Sequence, residues 1–152
     1  MKKKGFTLIE IVIVMVLVFL LAGVVNSMLI SYVKSYKNSI LQNKGFNYLN
    51  DAIVIIDKEV NYKAMEVKTE ENIIKINYSD GTTLNHIKCI NSNLYILYGT
   101  KNSIPEDSSS KSLIIDDVKE FVAIKSGKIL YIKVVWYNGQ NIERYLAIEN
   151  AN

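Results

Sequence analysis

The fold is decided by residues 2–33, KKKGFTLIEIVIVMVLVFLLAGVVNSMLISYV, where three lysines lead into an apolar run that carries one acid, Glu10. From Ile11 to Val33 the chain has 23 residues without a formal charge. A helix rises about 1.5 Å per residue, so this stretch is ~35 Å long and covers a hydrocarbon core of about 30 Å. Lys2, Lys3 and Lys4 form a basic leader. By the positive-inside bias they keep the amino terminus in the cytoplasm and send the remainder outside. A cleavable secretory signal fits less well: its apolar region runs about 7–15 residues, and Val24-Val25-Asn26-Ser27 offers no small-x-small cleavage site. An uncleaved anchor accounts for the hydrophobicity. It does not account for Glu10.

A carboxylate in hydrocarbon costs a few kcal/mol even on lenient insertion scales, so it is expected to be paired or functional. The competing account places Glu10 at the interface, reaching the headgroups. Cleavage after Gly5 would give Phe6 a new α-amino group, with a reference pKa near 8, in the same apolar layer. The amine of one subunit and the carboxylate of the next would then neutralise each other. Either charge alone is expensive in a low dielectric, so such a pair acts as a register device between packed helices.

At 152 residues the chain has room for one domain and an appendage. The leader lysines carry all of the +3 formal charge; without them 15 basic residues face 15 acidic ones, which leaves no overall basic footprint for nucleic acid. Tyrosine is abundant, but most of it falls at strand or helix positions where packing accounts for it, and direct DNA binding is not expected. Cys89 is the only cysteine, which excludes an intrachain disulfide. Its plain reading is a small apolar side chain in a strand, and the alternative is an intermolecular bridge or reactive thiol. His86 is the only histidine and no C-x-x-C or H-x-x-x-H spacing occurs, so neither a zinc site nor a Cys–His pair is expected. Glu70-Glu71, Glu106-Asp107 and Asp116-Asp117 are adjacent acids. Neighbours on a strand point to opposite faces, a poor arrangement for acid–base work, and without a D-x-D-x-D-G loop they read as solvated charges. Phosphate-loop and nucleophile-elbow motifs are absent as well. The chain reads as a non-enzyme with no catalytic residue, metal or cofactor.

Beyond the apolar run, Val33, Tyr36, Ile40, Leu41, Leu49, Ala52, Ile53, Ile56 and Val60 recur at intervals near three and four and line one helix face. The spacing predicts a helix to about Tyr62, with Gly45 costing about 1 kcal/mol relative to Ala, and a sheet that covers the outer part of the stripe. Residues 72–79 alternate as a strand, Asp80-Gly81 supplies a hairpin turn, and a return strand runs to about Ile90. Asn91-Ser92-Asn93 leads into Leu94–Tyr98. The segment from Thr100 to Ser112, with Pro105 and Ser108-Ser109-Ser110, reads as an exposed, mobile loop. Leu113–Ser126 is strand-like with a bend at Asp116-Asp117. Gly127-Lys128 turns into Ile129–Tyr137, where Leu130, Ile132, Val134 and Trp136 share the core face, and Asn138-Gly139 turns back into Ile142–Ile148. The layout is α+β: one long amino-terminal helix packed on an antiparallel sheet.

The stretch Lys4-Gly5-Phe6-Thr7-Leu8-Ile9-Glu10 resembles the class III signal of type IV pilins and pseudopilins, and the likeness continues into the unbroken apolar helix. That resemblance implies cleavage after Gly5 by a membrane aspartic prepilin peptidase, which also methylates the new terminus at Phe6. It implies that Glu10 pairs with the terminal amine of a neighbouring subunit during assembly. The partners it implies are other pilin or pseudopilin subunits, a membrane assembly platform and a separate assembly ATPase. Many major pilins bend this helix with a proline where Ser27 stands here, and with one cysteine no disulfide closes a carboxy-terminal loop. Downstream, the Tyr78-Ser79-Asp80-Gly81-Thr82 hairpin, LIIDDVKEF at 113–121 and the Gly139-centred hairpin are similar to one branch of the family. That branch holds minor pseudopilin J of type II secretion, W-type minor pilins and the F component of Gram-positive competence pseudopili, and it implies a minor, priming or tip-proximal subunit. The expected plan is a leader over 1–5, a transmembrane and filament-core helix over 6–33, an amphipathic helix over 34–65 and an extracytoplasmic sheet domain over 66–152. Before assembly such a chain is a single-pass protein of the cytoplasmic membrane, in contact with lipid, and afterwards part of an extracytoplasmic filament. A major pilin, and a membrane-anchored binding module that never polymerises, stand as alternatives.

Overall fold

The computed structural model describes residues 7–149. Helix α1 (Leu8–Asn61) is followed by β1 (Ala64–Glu70), β2 (Ile73–Tyr78), β3 (Thr83–Ile90), β4 (Asn93–Thr100), β5 (Lys111–Ile115), β6 (Val118–Ser126), β7 (Ile129–Trp136) and β8 (Asn141–Ala147). The chain divides into two compact units, Met1–Gln42 and Asn43–Asn152.

In the first unit every described residue is exposed. A helix bonds its own backbone groups, which is what hydrocarbon demands of a single crossing segment. Ser27 follows the same logic, donating its hydroxyl to the Val24 carbonyl at 2.8 Å. By length and composition α1 is able to cross a membrane. The expected stripe is uncovered here: Val33, Tyr36, Ile40 and Leu41 are all exposed.

In the second unit α1 buries Leu49, Ala52, Ile53, Ile56 and Val60, the outer part of the predicted stripe, and also Gly45, which the stripe did not include. The helix stops at Asn61 because Lys63 adopts a left-handed φ of 56°, and the Lys63 carbonyl then accepts the Ser79 N–H at 3.0 Å. It thus ends short of the 34–65 boundary, and β1 has begun by Ala64. Strand β1 had no counterpart in the periodicity. A bulge between Ala64 and Glu66 shifts its register, so its buried residues fall three apart and the two-residue alternation is lost.

Two antiparallel sheets replace the single one expected: β1-β2-β3-β4-β5 and β6-β7-β8. They part at Asp116-Asp117, where Asp117 takes a φ of 53° and the Asp116 carbonyl accepts the Trp136 indole N–H at 3.1 Å. Strand β6 forms no ladder with the five-stranded sheet; its Val118 N–H donates to the Ser92 carbonyl in the β3–β4 turn at 2.7 Å, and its other bonds to that sheet end on side chains. Its Ala123 N–H donates to Asn72 Oδ1 at 3.3 Å and its Lys125 N–H to Thr69 Oγ1 at 2.9 Å. These bonds occupy donors that an open edge would leave exposed. Helix and sheets share one core, in which Ile56 and Val60 meet Val67, Ile74, Ile87, Leu130, Ile132 and Val134.

The segment between β4 and β5 is largely exposed, as its composition suggests, yet several contacts tie it to the sheet. Pro105 is buried, Lys88 pairs with Asp107, and the Glu106 N–H donates to Ser109 Oγ at 2.9 Å. A Cβ on Gly99 would lie 2.6 Å from the Ser103 carbonyl and 2.7 Å from Pro105 Cγ, so glycine lets the segment lie flat on the sheet. Beneath it sit Leu84, His86 and Leu97, buried on the face opposite Ile87 and Ile96.

Candidate functional site at the helix start

The described chain begins at Thr7, one residue before α1, so the leader lysines Lys2, Lys3 and Lys4, the expected cleavage residue Gly5 and the expected terminus Phe6 lie outside the described residues. Glu10 lies within them, in the first turn of α1. Its Oε2 accepts the Thr7 backbone N–H at 2.8 Å and the Thr7 hydroxyl at 2.9 Å. The Thr7 carbonyl in turn accepts the Glu10 N–H at 3.1 Å and the Ile11 N–H at 3.4 Å. Four amide donors at a helix start lack intrahelical acceptors, and an acid at the third helical position is well placed to serve the capping residue. Thr7-Leu8-Ile9-Glu10 is therefore one reciprocal half of a capping box. The T-x-x-E spacing signals it in the sequence, and the reading of Glu10 as an intersubunit partner overlooked it.

The arrangement does two things chemically. It orders the carboxylate against the helix start, where the macrodipole favours negative charge. It also satisfies Oε2 within the chain, while Oε1 has no partner among the described residues. Glu10 is thus held, and still able to accept from a second donor.

Residues 1–26 match the family model of the prokaryotic N-terminal methylation motif. The chain carries the type IV pilin/pseudopilin signal. The signal covers the leader, the capping turn and most of the uncharged run, and it supports a type IV pilin-like or pseudopilin subunit. It implies processing by prepilin peptidase and assembly with other pilins. The long helix packed on antiparallel sheets agrees with a pilin-like fold. Among curated proteins no match to the chain is found.

The other residues singled out in the sequence do not gather around this signal. Cys89 stands in a strand, β3, as expected, and is exposed there. His86 is buried and donates to the Pro105 carbonyl; burial first, and then the nearby Lys75 and Lys88 ammonium groups, hold its pKa below the usual imidazole value. Glu70 pairs with Lys75, and Asp107 with Lys88. A polar chain crosses the core boundary, where Tyr78 donates to Glu59 on α1 and accepts from Asn85 Nδ2 at 3.2 Å. Burial, reinforced by the Glu59 carboxylate, pushes the Tyr78 phenol well up. Among the described residues no group of three or more His, Cys, Asp and Glu side chains is placed to hold a metal.

Proposed function

We propose that the chain is a structural minor pilin or pseudopilin of a type IV pilus-like filament, cut after Gly5, methylated at Phe6 and joined to its neighbour through Glu10. The observation that carries this reading is the single acid, Glu10, in the first helical turn of an otherwise uncharged run inside the methylation motif. Before assembly α1 crosses the cytoplasmic membrane with the leader inside and the sheet domain outside. Assembly then moves the helix from lipid into the filament core, driven by a separate ATPase acting through a membrane platform. The placement as a priming or tip-proximal subunit rests on the downstream hairpins, and the reading assigns the chain no catalysis of its own.

Two measurements test it. Mass spectrometry of the mature protein is expected to find methylated Phe6 at the terminus; an intact Met1, or a cut beyond Ser27, refutes the reading. Glu10→Ala is expected to leave membrane insertion unchanged and to abolish incorporation beside wild-type subunits. Normal incorporation of that variant overturns the pairing role.

A further inference from the structure

The uncharged run of α1 ends at Val33, and the next charges are Lys34 and Lys37. Together with Leu29, Ile30 and Val33 these lysines line one groove of about 450 Å³ on the helix surface. Its floor is apolar and its outer end carries two ammonium groups. On the adjoining flank Tyr32 and Tyr36 stack, with ring centroids 6.3 Å apart and planes 12° from parallel. Glu10 is the only acid among residues 7–42, and the ion pairs found among the described residues involve neither lysine. Lys34 stands 24 residues beyond Glu10, about 36 Å along the axis of a helix.

Resting on the membrane-inserted state proposed above, we infer that this groove binds a phospholipid of the extracytoplasmic leaflet. The phosphate sits between the Lys34 and Lys37 ammonium groups, and an acyl chain lies along Leu29, Ile30 and Val33. Three features select this occupant. Two cations without an internal acid complement a phosphate anion, while their methylene stems remain in the apolar layer as long basic side chains do at bilayer boundaries. Tyr32 and Tyr36 occupy the level where amphipathic rings collect, at the headgroups. The position also fits: with Lys34 at the outer headgroups, Glu10 falls about 36 Å away, at the cytoplasmic edge of a core of about 30 Å. The lipid contact thereby fixes the depth of the stored subunit and keeps Glu10 out of the bilayer centre. Entry into the filament has to break it.

The test uses the full chain with ¹⁵N-labelled lysine, reconstituted in phosphate-free buffer into vesicles of phosphatidylcholine, with and without phosphatidylglycerol. Solid-state ¹⁵N–³¹P dephasing is expected at two extracytoplasmic lysine signals in both compositions, and it is expected to vanish in the Lys34→Gln/Lys37→Gln double variant. Lys44→Gln is expected to leave it unchanged. Amide exchange over residues 11–33 is recorded on the same samples. Protected amides with no dephasing at Lys34 and Lys37 overturn the lipid site and leave the inserted state standing. Unprotected amides overturn the inserted state itself. Dephasing of these lysines by a carboxyl carbon of a second copy, in place of phosphorus, reassigns the groove to a neighbouring subunit and overturns the inference.

Discussion

Residues 8–42 and 43–61 belong to one helix, yet they obtain their stability from different sources. The first stretch is uncharged around its whole circumference between Ile11 and Val33, apolar but for Asn26, Ser27 and Ser31, and every one of its side chains is exposed. The second is striped, and Leu49, Ala52, Ile56 and Val60 are at most 2% exposed beneath the sheets. A helix apolar on all sides calls for a lipid or helical environment, whereas a striped one is completed by its own domain. The difference separates what folding requires from what assembly requires. Its sharpest test is a pair of identical truncations. Ile56→Ala is expected to destabilise the sheet domain by about 2–5 kcal/mol, as deletion of buried aliphatic side chains does. Ile40→Ala is expected to change stability by less than about 0.5 kcal/mol. Denaturant unfolding followed by the fluorescence of Trp136, the sole tryptophan and a buried one, reads both. Equal effects would abolish the distinction between the two stretches.

Two glycines sharpen the comparison at lower cost. A Cβ on Gly23 meets nothing within 4 Å, while one on Gly45 would lie 1.9 Å from Gln140 Oε1 and 2.8 Å from Trp136 Cζ3. Alanine raises helix propensity by about 1 kcal/mol at either site. At Gly45 the gain is opposed by an overpacking cost of about 1–3 kcal/mol, because the Trp136 ring is fixed by its bond to Asp116 and the Gln140 side chain must give up the Asn138 contact. Gly45→Ala is expected to be neutral to about 2 kcal/mol destabilising, and Gly23→Ala to raise helix content in micelles without shifting the Trp136 transition. A stabilised Gly45→Ala would show that the helix and the β7–β8 hairpin do not approach this closely.

Most of the helix was legible in the sequence because its signals are local. The uncharged run, the stripe from Leu49 to Val60 and the alternation of Leu130, Ile132, Val134 and Trp136 each follow from period alone. The hairpins at Asp80-Gly81, Gly127-Lys128 and Asn138-Gly139 were legible because glycine marks positive φ, seen at Gly81, Gly127 and Gly139. The turns at Glu71-Asn72 and Asn91-Ser92 place both central residues at positive φ without a glycine between them, so the first gave no signal, and β1 before it was hidden by its bulge. The division into two sheets depends on side-chain acceptors, Asn72 and Thr69, more than fifty residues from the amides they serve; no window along the chain contains both. At the candidate site, Glu10 stood out by charge, while its capping partner Thr7 was marked only by the short T-x-x-E spacing. The strap over β3 and β4 escaped for a different reason: a polar, proline-containing composition describes its solvent side and says nothing of Gly99 beneath it.

The smallest expected effect probes that strap. His86 lies between Lys75 on β2, Lys88 on β3, Leu97 on β4 and Pro105 above it, with Asp107 engaged by Lys88. Its pKa in the folded protein is lowered, chiefly by burial, from a reference of about 6.5 in the unfolded chain. The unfolded state therefore takes up a proton first as the solution is acidified, so stability is full above about pH 6.5 and declines as pH falls through that value. The decline is expected to begin near pH 6.5, above the range where free carboxylates titrate, and to continue down to the lowered pKa of the folded state. Denaturant midpoints of the wild type are expected to fall across this window, and those of His86→Gln to stay flat, with a lower but constant stability. The sheet domain carries this sensitivity and residues 8–42 hold no histidine, so helicity in that stretch is expected to be indifferent to the same change. A wild-type midpoint that rises on acidification would mean that His86 is charged in the fold, with Asp107 and not the Pro105 carbonyl as its partner.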